Sequence, residues 1–391
     1  MIKEGVLPVY NSADLFFDHG DGVYLYTEDG TRYLDFTSGI GVTCLGHSHP
    51  ALVSALRDQA GKLWHCSNLF KIKGQETVAK KIVEHSFANN VFFCNSGAEA
   101  VEAGIKAIRK YFFVNNPKKN KIICVNNAFH GRTLGAIAAA GQKKMLEGFN
   151  PHLKGFDHVE FNNLDKLEKK IDNNTGAILI ETVQGEGGVT PAKKEYLVGL
   201  KNIAKKRNLL LFFDEVQCGI GRTGKFLAVD WVKSLEPNIV AIAKGIGGGF
   251  PLGALLLDKK VSKVMTPGSH GSTFGGNPLG MAVAEVVLNH VLKDEFLDHV
   301  RFIGYNLRKK LNDDIVKKYP KLVSGVRGIG LMIGLEAVVE NEMLIKSLRN
   351  QRLLTVKAGQ NVIRMLPPLI LEMKHVEEAI SKIDKAFSEL I

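Results

Sequence analysis

The chain has few cysteines, and no cysteine pattern that would cross-link a fold or hold a metal. Its 391 residues include five cysteines, which form no CxxC pair and no zinc-ligand spacing, at positions 44, 66, 94, 124 and 218. An odd, scattered set excludes a disulfide scaffold and is typical of buried thiols in a reducing compartment. We therefore expect neither structural disulfides nor a metal site.

The chain also lacks long apolar runs and a recognisable targeting segment. No stretch reaches the length that a membrane-spanning helix requires. The first residues, Met1 to Gly5, have neither the basic start nor the apolar core of a secretion signal. These absences predict a cytoplasmic protein that is not bound to a membrane.

Acidic residues are outnumbered, 40 against 51 basic ones, which gives a formal net charge of +11 and a pI near 9.2. The lysines are spread along the chain, and no stripe interleaves them with aromatic residues. This distribution indicates that most of the lysines lie on solvated helix faces. Attraction of anionic ligands is the less favoured alternative. We do not predict binding to nucleic acid.

The length and composition are those of a two-domain globular protein. Hydrophobic residues make up 45% of the chain, and the mean hydropathy is close to zero. From about residue 91 to 258, short apolar runs alternate with helical patterns. The runs cover residues 91–94, 122–125, 177–180, 209–213, 239–243 and 254–257. Near-continuous apolarity predicts strands covered on both faces, hence an α/β domain with a mostly parallel sheet.

The remaining segments predict a smaller second domain. Residues 21–36 indicate a hairpin turning at Glu28-Asp29-Gly30, and a long helix is expected at Leu279–Leu292. We divide the chain into an N-terminal segment (1–55) that packs with the small domain, a large domain (56–277) and an α+β C-terminal domain (278–391). Ligands of such sheets bind at the carboxyl ends of the strands.

Two of the apolar runs end in residues of opposite charge. One ends at Lys244, just before a loop that is mostly glycine, and another ends at Asp214. Neighbouring strands would bring this amine and this carboxylate to the same edge of the sheet. Pyridoxal phosphate chemistry needs such a pair, because a lysine bonds the cofactor aldehyde and an acid pairs with the ring nitrogen.

The segment Asn95-Ser96-Gly97-Ala98-Glu99 follows the first run and opens a helix. Ser96 and Glu99 fit a capping box, which many helices have without any ligand. The same turn suits a phosphate, since free amides lie at the helix N-terminus and Gly97 permits close approach. With Lys244 and Asp214 expected at the same edge, the phosphate site is favoured.

Other loops at this edge carry candidate ligand contacts. Phe129 could be core or could stack on a heteroaromatic ring, and Arg132 could be surface or could bind a carboxylate. His130 has no metal-spaced partner, and the same holds for His47 and His49. The run Gly219–Gly224 matches GxGxxG, but no helical period follows it, which argues against a dinucleotide site.

Two further segments combine glycines with polar side chains. Glu186 lies in a glycine-rich turn and could pair with Arg364, which is flanked by apolar residues and would be costly to bury alone. The loop from Ser269 to Pro278 is either a plain loop with a helix cap or a set of hydroxyls for a phosphate.

Taken together, these motifs resemble the class III, ornithine-type aminotransferases of the pyridoxal-phosphate-dependent fold type I. The resemblance runs from Tyr33-Leu34-Asp35-Phe36 and Gly46-His47-Ser48-His49-Pro50 to Arg364. It implies a homodimeric enzyme with pyridoxal 5'-phosphate as cofactor.

The resemblance also implies roles for individual residues. Lys244 corresponds to the cofactor-bonding lysine that also carries protons, and Asp214 to the acid at the ring nitrogen. The expected cofactor contacts are Ser96, Gly97, Ala98, Phe129, Asp214, Glu215, Val216, Gln217, Lys244 and a Thr273 from the neighbouring subunit. The expected substrate contacts are Arg132, Glu186, Ser272 and Arg364.

Within the family, the segments around Lys244 and from His270 onward are most similar to members that use N2-acetylornithine and 2-oxoglutarate in arginine biosynthesis. Ile40 replaces a tyrosine that ornithine-specific members use for the free α-amino group, which favours an acylated amine. Thr182 departs from the family's usual proline. Members acting on 4-aminobutyrate, succinylornithine, ornithine or succinyl-diaminopimelate remain alternatives, as does a mutase or decarboxylase on the same fold.

Overall fold

The structure, a computed structural model, describes residues 5–391. The seven strands of its central sheet have the order β4-β12-β11-β10-β7-β5-β6. Their bounds are β4 Asn90–Cys94, β5 Lys121–Val125, β6 Phe156–Val159, β7 Thr175–Glu181, β10 Leu210–Asp214, β11 Ile239–Ile242 and β12 Gly253–Leu257. Every residue of β7, β10, β11 and β12 is buried, as the apolar runs predict.

The sheet is mostly parallel, with one strand reversed. β12 is antiparallel to both β11 and β4, whereas the pairs among β11, β10, β7, β5 and β6 are parallel. The reversal has a simple cause. Only residues 243–252 separate β11 from β12, and no crossover helix lies between them, so the chain turns back on itself.

Helices cover both faces of this sheet and connect its strands. They are α2 Pro50–Ala60, α3 Lys73–Glu84, α4 Gly97–Asn115, α5 Leu134–Ala140, α6 Lys143–Leu146, α7 Leu164–Lys170, α8 Lys194–Arg207, α9 Lys259–Ser262 and α10 Pro278–Val291. A short turn, α1 Ser38–Gly41, precedes them, and 3-10 turns occur at Ala228–Trp231 and Lys244–Gly247. The segment after Gly219–Gly224 therefore forms no α-helix, as expected.

The C-terminal part builds a second sheet, in the order β13-β14-β17-β16. Its strands are β13 Val323–Ile329, β14 Met332–Ala337, β16 Val356–Ala358 and β17 Val362–Met365. The helices packed around it are α11 Asp294–Lys310, a π-helical segment Leu311–Val316, α12 Asn341–Asn350 and α13 Met373–Ser388.

The N-terminal hairpin joins this C-terminal part through a backbone pairing. Its strands are β1 Phe17–Asp21, β2 Tyr24–Thr27 and β3 Arg32–Asp35, and β3 pairs in parallel with β15 Leu353–Leu354. A two-stranded ribbon, β8 Val183–Gln184 and β9 Thr190–Pro191, completes the strands. This ribbon presents the turn that contains Glu186.

Candidate active site

A cavity of about 450 Å³ opens at the carboxyl ends of the central strands. The residues around it come from the loops that follow β4, β5, β7, β10 and β11, and from the turn after β8. Among the residues predicted from the sequence, those that line it are Ser96, Gly97, Ala98, Phe129, Arg132, Glu186, Asp214, Val216, Gln217 and Lys244. The structure thus brings most of the predicted site residues to one place.

Lys244 lies directly beyond β11 in a strained backbone conformation. Its φ is 49°, a left-handed value that a residue with a side chain adopts at a cost and that often marks a functional site. Burial above all, and then the nearby Arg364 charge, lower the pKa of the Lys244 ammonium from its ordinary value of 10.5 to about 8. A neutral, nucleophilic amine is therefore accessible close to physiological pH.

Asp214 ends β10, the strand next to β11, and its carboxylate is held at both oxygens. Oδ1 accepts a hydrogen bond from the Val216 amide at 3.0 Å. Oδ2 lies 2.8 Å from Nδ1 of His130, which donates because a carboxylate can only accept. Both Asp214 and His130 are buried. The pairing of His130 was not predicted from the sequence.

The N-terminus of α4 forms a second wall of the cavity. The Ser96 side chain caps the helix by accepting from the Glu99 amide, and the Glu99 carboxylate accepts from the Asn95 amide at 2.5 Å. The amides of Gly97 and Ala98 lie in the first turn, where the helix itself offers no acceptor. A Cβ on Gly97 would come within 2.6 Å of Val216 Cγ1, so only glycine allows this close packing.

Phe129 and Arg132 lie together on the loop after β5. The guanidinium carbon of Arg132 is 5.7 Å from the centre of the Phe129 ring, within the range of a cation–π contact. An aromatic ring and a guanidinium group thus border the same cavity as Asp214.

Arg364 and Glu186 form an ion pair beside the cavity. Arg364 lies on β17 and is 2% exposed, and its Nη2 donates to Glu186 Oε1 at 2.8 Å. Its Nη1 donates to Gln217 Oε1 at 3.0 Å. Glu186 is a third exposed, so its side chain is the less constrained partner of the pair.

Three other predicted contacts lie outside the main cavity. Ser272 and Thr273 line a neighbouring cavity of about 340 Å³, where Ser272 Oγ accepts from the Asn95 side-chain amide at 3.2 Å. The Glu215 carboxylate accepts from the amides of Ala228 and Val229. The Glu215 carboxylate oxygens are therefore engaged in hydrogen bonds to the backbone of the same chain.

Thr182, the departure from the usual proline, also contacts Glu215. Its hydroxyl donates to Glu215 Oε1 at 3.1 Å, and its carbonyl accepts from the Ala192 amide at 3.0 Å. The threonine therefore adds one hydrogen bond behind the cavity and leaves the end of β7 in place.

Comparison with known proteins decides the family of the chain. The family profile for class-III aminotransferases matches residues 8–387. The chain belongs to the class-III aminotransferases. Because the match covers nearly all of the described residues, the family assignment applies to the central sheet, to the C-terminal sheet and to the residues around the cavity.

Two relatives with high identity to this chain are both named acetylornithine aminotransferase. An acetylornithine aminotransferase of Mesorhizobium japonicum is 51% identical over 384 residues, which are 98% of this chain and 96% of the relative. The acetylornithine aminotransferase of Agrobacterium fabrum is 47% identical over 393 residues, covering 100% of this chain and 98% of the relative.

Solved structures show the same fold. The ornithine aminotransferase of Toxoplasma gondii superposes with a TM-score of 0.94 at 30% identity, covering 99% of this chain and 93% of that one. An N-acetylornithine aminotransferase of Stenotrophomonas maltophilia gives a TM-score of 0.85 at 34% identity, covering 97% of both chains. This class-III aminotransferase therefore has the fold type I architecture expected from its sequence.

Class-III aminotransferases are pyridoxal-phosphate-dependent enzymes that act on small molecules, and a second Toxoplasma gondii ornithine aminotransferase structure has partial occupancy of the cofactor at its active site. The residues of the present cavity fit that cofactor chemically. They offer an amine, a buried carboxylate, an aromatic face and the first-turn amides of a helix. No helix in residues 5–391 is both long and apolar enough to cross a membrane.

Sequence reasoning missed two residues of this aminotransferase site, His130 and Glu181. Both line the cavity and both are buried. His130 has no metal-spaced partner in the sequence, and this spacing argues against a ligand or base but says nothing about a contact with Asp214. Glu181 ends the run at 177–180, and the rule that singled out Asp214 at the end of its own run would have found it.

Proposed function

We propose that this class-III aminotransferase transfers the amino group between N2-acetylornithine and 2-oxoglutarate. The products are N-acetylglutamate 5-semialdehyde and glutamate, a step of arginine biosynthesis. The names of the relatives support this substrate. The observation that carries the proposal is the pairing of the buried Arg364 with Glu186 beside a cavity that Arg132 also lines. The site thus has two arginines for substrate carboxylates, and one of them is already paired with a carboxylate.

The proposed cofactor contacts follow from the walls of the cavity. Lys244 would hold the aldehyde, and Asp214 would face the ring nitrogen. The phosphate would lie at the α4 N-terminus, where the helix dipole and free amides favour an anion, and the Phe129 ring would cover one face of the cofactor. When bound, pyridoxal phosphate supplies an electron-withdrawing ring that stabilises negative charge at the substrate carbon.

In the proposed mechanism, Lys244 also transfers the proton of the substrate carbon that bears the amine. Once its amine is free, Nζ takes a proton from the carbon that bears the substrate amine and returns one later. The depressed pKa of Lys244, about 8 because of burial, suits both duties, since an efficient acid–base group titrates near the working pH.

The Arg364–Glu186 pair acts as a gate for the two half-reactions. The reacting end of acetylornithine carries no carboxylate, so Glu186 can stay on Arg364. Glutamate brings an α-carboxylate to that position, and Glu186 must then swing away while the distal carboxylate meets Arg132. An arginine fork suits each carboxylate because it can donate two parallel hydrogen bonds.

The acylated substrate is favoured by Ile40. Its side chain is 40% exposed, and it offers no hydrogen bond to a free α-amino group. A substrate whose α-nitrogen is acetylated needs no such partner there. We propose on this basis that acetylornithine is preferred to ornithine.

We further propose a cytoplasmic homodimer in which Thr273 reaches the cofactor phosphate of the partner. Large apolar side chains are exposed near that loop on this chain, among them Trp64, Leu69, Phe70 and Phe274. A protein surface seldom leaves such side chains uncovered. The division into residues 1–55, 56–277 and 278–391 belongs to the same proposal, as does the use of Glu215, Val216, Gln217 and Ser272 around cofactor and substrate.

A comparison of amino donors tests the proposed substrate. The purified holoenzyme is supplied with 2-oxoglutarate and, in parallel, N-acetylornithine, ornithine, N-succinylornithine or 4-aminobutyrate, and glutamate formation is followed. The largest kcat/KM should belong to N-acetylornithine. A larger value for any of the other three donors would replace the proposed substrate with that donor, and release of carbon dioxide without glutamate would point to decarboxylation.

A further inference from the structure

A buried imidazole fixes the orientation of the Asp214 carboxylate. Nδ1 of His130 donates to Asp214 Oδ2 at 2.8 Å, while Oδ1 is held by the Val216 amide at 3.0 Å. His130 and Asp214 are 2% and 4% exposed. The carboxylate therefore cannot turn without losing one of its two buried hydrogen bonds, each costly to leave unmade.

A second carboxylate lies beside this pair. Glu181 ends β7 and is the direct neighbour of Asp214 in the parallel pairing of β7 with β10. Its Oε2 accepts from the Phe129 amide at 3.1 Å, one residue before His130, and its Oε1 accepts from the Gly185 amide at 3.2 Å. Glu181 thus holds the backbone next to His130 through a hydrogen bond, and it places a second carboxyl group close to the imidazole.

The charges of this cluster favour a protonated imidazole. Burial by itself would lower the pKa of His130, but the hydrogen bond to Asp214 and the charges of Asp214 and Glu181 outweigh it and raise the pKa. Burial raises the pKa of Glu181 to about 7. The charge of His130 in turn lowers the pKa of Glu181.

Two other ionisable groups face the cluster. Lys244 lies within the range of the charges of both Asp214 and Glu181. Cys218 follows β10, and burial raises the pKa of its thiol well above the ordinary range, so this thiol stays neutral. Of the two, only the Lys244 ammonium can add positive charge that competes with the imidazolium of His130.

We propose that His130 is a positioning residue, which as an imidazolium holds the Asp214 carboxylate toward the cavity, and that Glu181, in its ionised form, is the second carboxylate that favours charge on His130. The inference rests on the proposed function, in which Asp214 meets the ring nitrogen of the cofactor. A fixed carboxylate keeps the proton on that nitrogen, whereas a mobile one would lose contact with it.

The charge state of His130 can be measured without the cofactor. The protein is labelled with 15N-histidine, and its ring signals are followed over pH in both apo and holo forms, with His130 assigned from its absence in His130→Asn. The signal should be that of an imidazolium at neutral pH in both forms. In Glu181→Gln its titration midpoint should fall by about one unit. A neutral ring in the wild-type protein, or an unchanged midpoint in Glu181→Gln, would overturn the inference.

The bound cofactor reports on the position of Asp214. In His130→Leu the pH midpoint of the visible cofactor band should move upward, because a ring nitrogen without its carboxylate withdraws fewer electrons from the Lys244 linkage. Cofactor loss should be roughly tenfold faster, the scale of one hydrogen bond to a charged group. His130→Asn, whose amide can still donate to Asp214, should recover most of both properties.

The matched control is His158→Asn, since the His158 imidazole does not line the cavity and its Nε2 lies 3.0 Å from the Ala139 carbonyl oxygen. It should leave the band and the rate of cofactor loss unchanged. Equal effects of His130→Leu and His130→Asn, or none, would refute the positioning role. A wild-type protein that takes up no cofactor would instead contradict the proposed function, while the ring signals of the apo form would still test the charge on His130.

Discussion

Arg364 Nη2 and Glu186 Oε1 lie 2.8 Å apart, and they join the C-terminal sheet to the two-stranded ribbon. Arg364 belongs to β17 of the C-terminal sheet, whereas Glu186 belongs to the turn between β8 and β9. Gln217, next to the end of β10, accepts the other guanidinium bond at 3.0 Å. A motion that moves Glu186 therefore exposes a cation without moving Arg364 itself.

The gate predicts unequal losses in the two half-reactions. Arg364→Ala should slow the glutamate half-reaction by roughly 100-fold, the scale of a charge-assisted bond pair, and the acetylornithine half-reaction much less. Single-turnover spectra with each substrate alone would measure the two rates. Arg32→Ala, which removes an exposed arginine from a 3.6 Å pair with Glu378, is the control and should change neither rate. Equal losses in both half-reactions would speak against a gate.

Removing the carboxylate from the gate should have a different effect. In Glu186→Ala the Arg364 guanidinium is left without its anionic partner, so glutamate should bind more tightly and leave more slowly. Discrimination between acetylornithine and glutamate should fall by roughly tenfold. The measurement is the ratio of the two half-reaction kcat/KM values, which should stay constant if Glu186 has no part in selection.

The lowered pKa of Lys244 predicts how the apoprotein depends on pH. The folded chain releases this proton at about pH 8 and the unfolded chain at about 10.5. A group with a depressed pKa of this kind destabilises the folded form below pH 8, and the penalty disappears as the pH rises toward 10.5. Lys244→Met should therefore raise the Tm of the apoprotein at pH 7, and the gain should shrink between pH 8 and 10.5.

A gain in Tm that is the same at every pH would show that packing, and not charge, causes the difference.

The same titration predicts the rate of cofactor attachment to wild-type apoprotein. Because only the neutral amine is nucleophilic, the rate should rise with pH up to about 8 and then level off.

Close packing at the phosphate wall gives a prediction about backbone approach. A Cβ on Gly97 would lie 2.6 Å from Val216 Cγ1, so Gly97→Ala should displace the α4 N-terminus and weaken cofactor binding by about 1–3 kcal/mol. The double variant Gly97→Ala/Val216→Ala should recover much of the affinity, because it removes the opposing methyl groups. Failure of the second substitution to help would show that the clash is not the cause.

Stacking by Phe129 can be tested in a similar way. Phe129→Leu keeps an apolar side chain but removes the aromatic face, and it should weaken cofactor binding by about 1 kcal/mol, or several-fold in Kd. Phe113→Leu is a suitable control, since Phe113 is an exposed phenylalanine of α4 outside the cavity. An unchanged Kd in Phe129→Leu would remove stacking from the proposal.

Much of the fold can be predicted from local sequence patterns. The buried strands β7, β10 and β11 are continuous apolar runs, and α4 opens where Ser96 supplies a cap. Charged residues placed after such runs, Lys244 and Asp214 above all, were expected at one edge and do line one cavity. These inferences need only strand order and chain direction.

Relations between distant segments were harder to predict. The pairing of β3 with β15 and the contact of His130 with Asp214 depend on how loops pack in three dimensions. The apolar run of β12 does not reveal that this strand is antiparallel to its neighbours, because a buried strand is apolar in either direction. Edge strand β6 was not among the predicted runs, since its sequence, Phe156-Asp157-His158-Val159, contains polar residues.

The proposed function depends above all on Lys244 as the amine that bonds the cofactor. The holoenzyme is reduced with borohydride and digested, and the peptide that retains the cofactor is sequenced by mass spectrometry. We expect loss of the yellow colour and a modified lysine at position 244, with no modified peptide from Lys244→Ala. A stable modification at another lysine, or a wild-type protein that stays colourless with pyridoxal phosphate, would contradict it.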